Sequence, residues 1–516
     1  MAICAHGEKI KCIFSHPKPN DLGIIRKQSI SGTIYSYLGV ILGFVIMGIL
    51  FPRVLSTKEV GLLRVMVSYA TLFAQFAGLG FGAVTIKIFP HFRDAARKHH
   101  GFLGIALMVA LAGFLIAAAV YLLLRPYLVE QSLEKSELFI TYFYYVVPLI
   151  FFTLLFNVFD NYYRVLYNAV KGIYYKEVIQ RAATLVVILL FYFKTINFHQ
   201  LVILYVLVLI SPSLMLLVSL IRSKQLFLKP DLKFITPDLR KQMINVGFFG
   251  ILASFSGVLV MNIDILMVNN MLGLSAAGIY AITFYFGTLI LVPLRTMGKI
   301  SSVIISDAWK INDKETINDI YRRSSISLSV VGVLLFIGIW GNIDNVFHIL
   351  GDKYLPGRMV IFFIGMANLF DIAVGISSHI IVNSKYYRSL SYFLLVFAVI
   401  LVVSNLLLIP VFGLVGAAIA SFISKFLYNS IKFVFLYRKF RFQPLSYHHI
   451  LLILIAILAY WISTFIPTFS NYIVDIIIRS GIIFILFAVP VYYFRISEDI
   501  NQRVDVIFKK ITGRQS

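Results

Sequence analysis

The sequence predicts an all-α polytopic membrane protein with about fourteen transmembrane helices. Composition is the first reason, because 60% of the 516 residues are hydrophobic and 13% are charged, whereas soluble domains carry about 25% charged residues. The second reason is the recurrence of apolar runs of about 20 residues, the length that crosses the hydrocarbon core as a helix. The third is that basic residues concentrate in alternate connections between these runs.

The apolar runs follow one another along most of the chain and define the predicted helices in order. They begin near Ile30, Leu62, Gly101, Phe139, Glu177, Gln200, Met243, Ser275, Ser325, Met359, Leu390, Leu414, Ile450 and Ile473. Most end about 20 residues later in a basic or aromatic cluster, as is typical of the membrane interface. The longest connections, 222–241 and 297–324, are rich in charge. They leave little room for a catalytic domain outside the membrane, so the sequence does not predict an enzyme.

The formal net charge of +23 is distributed in a way that predicts topology and not nucleic-acid binding. With the N-terminus in the cytoplasm and alternating loops, most of the 46 Lys and Arg residues fall on the cytoplasmic side. The basic residues of the outer connections are Arg53, Lys58, Arg125, Lys135, Lys194, Lys353 and Arg358. This asymmetry obeys the positive-inside rule, and an even number of helices returns the C-terminal tail to the cytoplasm. Since no compact basic domain is present to bind a duplex, no nucleic-acid partner is predicted.

A weak internal repeat predicts two lobes. Residues 54–63 align with residues 271–280, so that Gly61 corresponds to Gly278. Each segment joins the first helix of its half to the second, and six helices separate them, so the halves should share one orientation. The predicted organisation is a cytoplasmic tail (1–29), an N-terminal six-helix lobe (30–222), a cytoplasmic inter-lobe linker (223–241), a C-terminal six-helix lobe (242–437), two accessory helices (448–494) and a cytoplasmic tail (495–516).

The stretch 264–280, Asp-Ile-Leu-Met-Val-Asn-Asn-Met-Leu-Gly-Leu-Ser-Ala-Ala-Gly-Ile-Tyr, resembles the signature that opens the second half of polysaccharide-export flippases. These form the Wzx-like branch of the MOP superfamily, related to MATE and MurJ. Residues 410–420 resemble the family's turn into its twelfth helix, and residues 28–51 resemble its first helix. The resemblance covers about Gly23 to Phe494. Its motifs are typical of the fold more than of one substrate.

The resemblance implies a bacterial inner-membrane protein with two pseudo-symmetric lobes. It implies that the protein moves a polyprenyl-diphosphate-linked oligosaccharide from the cytoplasmic to the periplasmic leaflet by alternating access. An O-antigen of lipopolysaccharide, a capsule or an exopolysaccharide repeat unit would be the cargo. A glycan polymerase or ligase is then an expected partner.

Polar residues on helix faces are the candidate walls of a substrate path, because a charge in the bilayer costs about 2.5–3.5 kcal/mol unless it faces protein or water. Arginine suits a diphosphate, since its guanidinium can hold two oxygens at once. We predict that Arg64, Arg295 and Lys425 face the central cavity and attract the diphosphate. For Arg64 and Arg295, near helix ends, snorkelling to the headgroups is the alternative. The other predicted cavity residues are Ser68 and Gln75, on the Arg64 face, and Tyr285, on the Arg295 face.

Asp264 and Asp371 are the candidate ion-coupling residues, with a proton or sodium as the coupling ion. For each, a structural hydrogen bond or ion pair between helices is an equal alternative. Three further pairs are interpreted as local ion pairs without a transport role because their members are four residues apart. They are Asp160 with Arg164, Glu177 with Arg181, and Asp475 with Arg479. No cofactor or bound metal is predicted.

Two transporters and one enzyme class compete with this interpretation. A MATE-type multidrug exporter moves cations and would need carboxylates along its path, whereas the candidate cavity charges here are mostly basic. A MurJ-type lipid II flippase carries a similar polyprenyl diphosphate and stays an alternative. A membrane polymerase or glycosyltransferase would need an acid/base constellation outside the membrane, for which the sequence gives no signal.

Overall fold

The computed structural model describes residues 19–130 and 137–511. Within these ranges the structure describes only the backbone of 19–29, 129–130, 295–296, 299–300, 303 and 507–511. The predicted N-terminal tail, 1–29, therefore lies mostly outside the described residues. The described chain is helical apart from short connections.

The first six crossing helices form the N-terminal lobe. They are α1 (19–54), α2 (57–92), α3 (Phe102–Leu123), α4 (Glu137–Val165), α5 (170–192) and α6 (Phe198–Arg222). Two of them contain π-helical turns, α1 at Val45–Leu50 and α5 at Tyr174–Ile179. We call the end of the bundle where α1, α3 and α5 begin the basic end, because the predicted cytoplasmic connections lie there.

The C-terminal lobe follows the same order. Its helices are α7 (Pro237–Leu272), α8 (274–310), α9 (Lys314–Gly341), α10 (358–383), α11 (387–412) and α12 (414–440), followed by the accessory helices α13 (Tyr447–Ser463) and α14 (Tyr472–Tyr493) and by the amphipathic α15 (Glu498–Ile511). Two are interrupted along their length, where α8 passes through a 3-10 turn at Leu289–Leu291 and α10 ends a first segment at Ala373.

The helix count agrees with the prediction of about fourteen crossings. Within the described residues, eleven helices are long and apolar enough to cross a membrane. One of them, Tyr387–Phe440, contains both α11 and α12, while α5 and α13 are shorter or interrupted. The multi-span, all-α fold class is therefore confirmed.

A turn divides the helical run Tyr387–Phe440 into two crossings, α11 and α12. Gly413 adopts φ +57°, which reverses the chain at the end opposite the basic end. Beyond the turn the two helices touch, since a Cβ on Gly416 would lie 2.1 Å from the carbonyl oxygen of Leu408. Further along this hairpin the rings of Phe397 and Tyr428 stack with centroids 4.7 Å apart.

Two predicted connections are shorter than expected, and this part of the prediction was wrong. α8 continues to Lys310 and α9 already begins at Lys314, so most of 297–324 is helical. Likewise α7 begins at Pro237, where Thr236 Oγ1 accepts a hydrogen bond from Leu239 N at 3.3 Å. The apolar run that predicts a span marks only the part within the hydrocarbon, whereas a capped helix continues into water.

The two lobes contact each other at both ends of the bundle. At the end opposite the basic end, α2 and α8 cross with their backbones in contact at Gly61 and Gly278, and Thr57 Oγ1 lies 2.8 Å from Ser275 Oγ. At the basic end the ammonium of Lys87 on α2 lies over the ring of Tyr387, which opens α11, at 4.5 Å. The pair Gly61 and Gly278 is the one that the sequence repeat relates.

The accessory helices are fixed to the C-terminal lobe by a buried ion pair. Arg479 Nε lies 3.0 Å from Asp475 Oδ2 within α14, and Arg479 Nη1 donates to the carbonyl oxygen of Ser463 at 3.0 Å. Asn345, in the short helix Ile343–Leu350, donates a further hydrogen bond to Asp475. The predicted pair of Asp475 with Arg479 is confirmed, and it joins α13 and α14 to the lobe.

Candidate functional site

The first candidate site lies where the N-terminal lobe faces α8. α2 begins with a capping box in which Ser56 N donates to Glu59 at 2.7 Å and Glu59 N donates to Ser56 Oγ at 3.3 Å. Two residues after this cap, Gly61 brings the α2 backbone against α8. Arg64 is three residues further along α2, on the same helix face. The sequence therefore places a guanidinium beside the contact between the lobes.

The Arg64 side chain has little to neutralise it among the described residues. It is half-buried, and its Nε is buried without a hydrogen-bond partner in that part of the chain. The groups in electrostatic range are the phenols of Tyr205 on α6 and Tyr285 on α8, and the guanidinium of Arg181 on α5. A buried charge without a counter-charge is unfavourable. An anion held between the lobes would relieve this cost.

Arg181 is the second cation of the site, and it connects α5 to α1. Its Nη2 pairs with Glu177 Oε2 at 2.6 Å, and its Nη1 donates to the carbonyl oxygen of Gly39 at 2.5 Å. A Cβ on Gly43 would lie 1.9 Å from Arg181 Nη1 and 3.5 Å from the hydroxyl of Tyr285. The glycine at position 43 therefore makes the space in which α1, α5 and α8 meet.

The π-helical turns lie beside this site. One begins at Val45, two residues after Gly43, and the other ends at Ile179, two residues before Arg181. A π turn inserts one residue and rotates the following side chains around the helix axis. In α5 it sets the direction in which Arg181 leaves the helix, and such turns are frequent at functional sites.

The other predicted cavity residues are placed as follows. Tyr285 lies near Arg64, so the structure brings these two together. Gln75 is half-buried further along α2, whereas Ser68 is only 1% exposed and lines no open space in this conformation. Arg295 falls among the residues whose side chains are not described. Its predicted contact with a diphosphate stays a prediction.

The second candidate site is Asp264, which is buried in the C-terminal lobe at 5% exposure. Its carboxylate accepts hydrogen bonds from the hydroxyl of Tyr280 on α8 at 3.0 Å, from Asn405 Nδ2 on α11 at 2.7 Å and from the hydroxyl of Ser421 on α12. All three donors are neutral, and no cation lies within 4 Å among the described side chains. The carboxylate thus joins four helices through groups that exchange protons or reorient.

Asp371 and Lys425 form a single unit, although the sequence assigned them separate roles. Lys425 Nζ on α12 lies 2.9 Å from Asp371 Oδ2 on α10 and also donates to Asn368. Asn429 Nδ2 donates to the other oxygen of Asp371 at 2.8 Å. The Lys425 ammonium is therefore already paired inside the lobe in this conformation, and the predicted diphosphate contact would require that pair to open.

The remaining predicted pairs lie near the basic end of the N-terminal lobe. Arg164 Nη2 is 2.6 Å from Asp160 Oδ2, and Glu177 pairs with Arg181, so both local ion pairs are confirmed. The interpretation of Arg181 as only a local partner was incomplete. The spacing of Gly39 and Gly43, one turn apart on α1, is the sequence signal that a large side chain from another helix packs there.

The sequence matches a known protein family. The sequence pattern of the family described as polysaccharide biosynthesis protein matches residues 25–299, just over half of the 516 residues. The chain belongs to this family. No curated protein matches it.

Solved structures similar to this polysaccharide biosynthesis protein extend the fold assignment to most of the chain. The lipid II flippase MurJ in an inward closed conformation has a TM-score of 0.69 at 13% identity, covering 90% of this chain and 99% of that one. An inward-facing multidrug resistance MATE family transporter of the MOP superfamily has a TM-score of 0.59 at 15% identity, covering 79% and 98%. The predicted MurJ- and MATE-like fold is confirmed. The chain is a multi-span membrane protein of the polysaccharide biosynthesis protein family with a MurJ- and MATE-like fold.

Proposed function

We propose that this protein flips a polyprenyl-diphosphate-linked oligosaccharide from the cytoplasmic to the periplasmic leaflet of the bacterial inner membrane by alternating access. Its family and its fold support a role in moving a lipid-linked glycan. The observation that carries the proposal is the Arg64 guanidinium, which lies between the lobes with a buried Nε that has no partner among the described residues.

A diphosphate matches what this site offers. Arg64 and Arg181 bring two guanidinium groups, while Glu177 is the carboxylate paired with one of them. The hydroxyls of Tyr205 and Tyr285 add neutral donors at the same place. Charge-assisted hydrogen bonds to phosphate strengthen away from water. The cargo's sugars would then lie between the lobes while its polyprenyl chain stays in lipid.

The same electrostatics separate this proposal from export of cationic drugs. A cation between the lobes would face Arg64 and Arg181 and meet a carboxylate, Glu177, that already has a partner. Repulsion between like charges in a site of low dielectric disfavours such a cargo. Lipid II, also a polyprenyl diphosphate, would satisfy the same cations, and the glycan used in the assay decides between the two lipids.

The orientation follows from the charge pattern. The basic end with both tails faces the cytoplasm, and the end closed by Gly61 and Gly278 faces the periplasm. Flipped cargo, an O-antigen, capsule or exopolysaccharide unit, would there meet a polymerase or ligase. We further propose that Asp264 couples transport to an ion, because a buried carboxylate with only neutral donors can change its charge state without breaking an ion pair.

The proposal is tested with the full chain reconstituted in vesicles that carry a polyprenyl-diphosphate oligosaccharide. The rate at which the glycan becomes accessible to a membrane-impermeant oxidant reports flipping. We expect Arg64→Gln to slow flipping about 10- to 100-fold, since losing one charged hydrogen bond costs about 1.5–3 kcal/mol. The exposed Arg53→Gln is the matched control. Flipping by Arg64→Gln at the wild-type rate, or no flipping by the wild type, would overturn the proposal.

A further inference from the structure

A line of polar side chains runs along one face of α12 inside the C-terminal lobe. Ser421, Lys425, Asn429 and Lys432 follow one another at steps of four, four and three residues, so they share a helix face. Lys425 is half-buried and the other three are buried. We call the polar file the set formed by these four residues and their contacts Asp264, Asp371 and Ser378.

In the half of the file farther from the basic end, α12 contacts two carboxylates. Ser421 donates to Asp264, and one turn later Lys425 pairs with Asp371 at 2.9 Å. The Lys425 ammonium is also within electrostatic range of Asp264. Asn429 donates to Asp371 at 2.8 Å from the following turn. Lys425 therefore lies between two carboxylates and contacts one of them.

At the end nearer the basic end, the file finishes in Lys432, a buried lysine that no carboxylate contacts among the described side chains. Lys432 is 4% exposed, and its Nζ lies 3.4 Å from Ser378 Oγ and 4.3 Å from the centre of the Tyr428 ring. Among the described side chains, no carboxylate lies within 4 Å of it, although Asp371 is in electrostatic range. Burial of an ammonium on these contacts alone is costly for the fold. Nothing in the transport of a diphosphate between the lobes accounts for it.

The positive and negative charges of the polar file are equal in number, and this balance limits which ion the file can carry. Asp264 and Asp371 are opposed by Lys425 and Lys432, so the file has no net negative charge to hold a metal cation. Sodium and other hard cations need several oxygen ligands free of donors. Here the carboxylate oxygens already accept from hydroxyl, amide and ammonium groups. A proton needs only groups that can give one up and accept one.

We propose that the polar file conducts the coupling proton through the C-terminal lobe, from Asp264 to the basic end. This inference rests on the proposed ion coupling at Asp264. First, the Lys425 ammonium gives a proton to the Asp371 carboxylate, which leaves an amine and a carboxylic acid. The amine then takes the proton that Asp264 received, and this proton reaches it through the Ser421 hydroxyl. Lys432 releases its proton toward the basic end, and its neutral, flexible side chain then swings to Asp371 and takes the proton held there. One proton moves per cycle, and each group returns to its starting state.

Further titratable groups lie beside the file. Tyr280 on α8 faces Asp264, and Tyr428 on α12 faces Lys432. His379 on α10 is in electrostatic range of Lys432, next to Ser378. Arg295 on α8 belongs to the residues whose side chains are not described.

The test uses the full-length protein in vesicles loaded with a pH-sensitive dye, with potassium and valinomycin setting a membrane potential. We expect the wild type to carry protons and Lys432→Met to slow this flux by about tenfold or more. Lys439→Met, an exposed lysine on the same helix, should leave the flux unchanged. Proton flux in Lys432→Met equal to the wild type would overturn the proposal that the polar file conducts protons.

A second variant separates conduction from folding. Lys432→Arg keeps the positive charge and the donors, but a guanidinium does not release its proton in a protein. We expect its melting temperature to match the wild type while its flux falls as in Lys432→Met. Normal flux in Lys432→Arg would contradict proton transfer at this position, whatever happens to the stability of the methionine variant.

The outcomes also distinguish this inference from the proposed function. If glycan lipid is flipped and Asp264→Asn abolishes flux while Asp371→Asn and Lys432→Arg leave it intact, coupling stands and the file is wrong. If sodium and not a proton drives the flux, the file is again overturned. If the wild type flips glycan lipid with no ion flux, both the coupling and the file fail while the flippase stands.

Discussion

Asp264 and Asp371 show how surroundings decide what two carboxylates in one lobe can do. Asp264 is held by three neutral donors, whereas Asp371 accepts from an ammonium and an amide. Removing the charge of Asp264 breaks no ion pair, because the groups that donate to it are neutral. Removing the charge of Asp371 leaves Lys425 unpaired in the lobe. The two positions should therefore respond differently to substitution.

The first prediction concerns the shape of the Asp264 side chain. Asp264→Asn keeps an acceptor and the hydroxyls of Tyr280 and Ser421 can reorient, so we expect a small change in stability. Asp264→Leu leaves three buried donors without an acceptor, at about 1–3 kcal/mol each. Thermal unfolding in detergent measures both variants, with the exposed Asp344→Asn as control. Equal melting temperatures for Asp264→Asn and Asp264→Leu would show that these hydrogen bonds do not support the fold.

The second prediction concerns the pair of Asp371 and Lys425. Breaking a mostly buried pair from one side costs about 3–5 kcal/mol, whereas removing both charges costs much less. We expect Lys425→Met to lower the melting temperature strongly and the double variant with Asp371→Asn to recover most of the loss. A double-mutant cycle in the same assay checks this. Additive losses would mean that the two side chains act independently.

At the residue scale the sequence predicted more about position than about partners. Ion pairs four residues apart on one helix, such as Asp475 with Arg479, follow from helix geometry alone. The pairing of Lys425 with Asp371 depends on how two helices from distant parts of the chain pack, which spacing does not reveal. Arg181 was assigned only its local partner for the same reason, because its second contact is on α1.

Among the elements, the crossing of α2 and α8 is where side-chain size should control the state of the transporter. A Cβ on Gly61 would lie 2.0 Å from the carbonyl oxygen of Leu274, and one on Gly278 would lie 1.9 Å from that of Thr57. Neither backbone atom can move without separating the helices. The contact that closes this end of the bundle therefore depends on both glycines.

The third prediction uses this contact. In a chain with Cys4 and Cys12 replaced by serine, Thr57→Cys with Ser275→Cys should form a disulfide on oxidation, because the native oxygens are 2.8 Å apart. Adding Gly61→Val should reduce the cross-linked fraction severalfold by separating the helices. Gly257→Val, where a Cβ would meet nothing within 4 Å, is the control. Undiminished cross-linking in the Gly61 variant would contradict the steric account.

The inter-lobe linker, 223–236, is a second element with a specific attachment. His100 Nδ1 lies 3.1 Å from Asp231 Oδ2, Asp231 N donates to the carbonyl oxygen of His100 at 3.0 Å, and the His100 ring stacks on Phe234. The hydrogen bond from His100 holds the pKa of Asp231 below its ordinary 3.8. A lowered pKa in the folded state stabilises above 3.8, and that contribution disappears as pH falls through the folded value.

The fourth prediction follows from that sign. At pH 7, Asp231→Asn should speed hydrogen exchange of the linker amides, while Lys233→Gln, exposed in the same linker, should not. The difference between wild type and Asp231→Asn should shrink as the pH falls from 3.8 and disappear below the lowered folded-state pKa of Asp231, where the wild-type carboxyl is protonated too. Exchange measurements corrected for intrinsic rates at several pH values check this. A difference that persists in acid would exclude the carboxylate as the cause.

At the element scale the apolar runs predicted the helices because burial in lipid is the strongest constraint on them. The ends were less predictable, since the polar extensions of α8 and α9 carry no hydropathy signal. The π-helical turns of α1 and α5 were not predicted either. The turn at Val45–Leu50 lies in a run that is apolar on all sides, where an inserted residue shifts no visible pattern, so only the packed structure reveals it.

On the scale of the whole molecule, the two lobes contact each other towards both ends of the bundle. The end opposite the basic end has the backbone contact at Gly61 and Gly278, and the other half has the backbone contact of Gly80 with Gly247 and, further along α2, Lys87 over Tyr387. Alternating access requires one contact to open while the other holds. The repeat in the sequence predicted the symmetric pair, because both glycines occupy the same place in their lobes. The contact of Lys87 with Tyr387 has no such counterpart in the repeat.

The most direct measurement is the leaflet distribution of polyprenyl-diphosphate oligosaccharide in the native bacterium after depletion of this protein, with surface glycan quantified in parallel. The account predicts loss of surface glycan and lipid intermediate trapped in the cytoplasmic leaflet, both restored by the wild type and not by Arg64→Gln. Normal glycan with unchanged intermediates, together with new sensitivity to cationic drugs, would contradict the account and indicate an exporter.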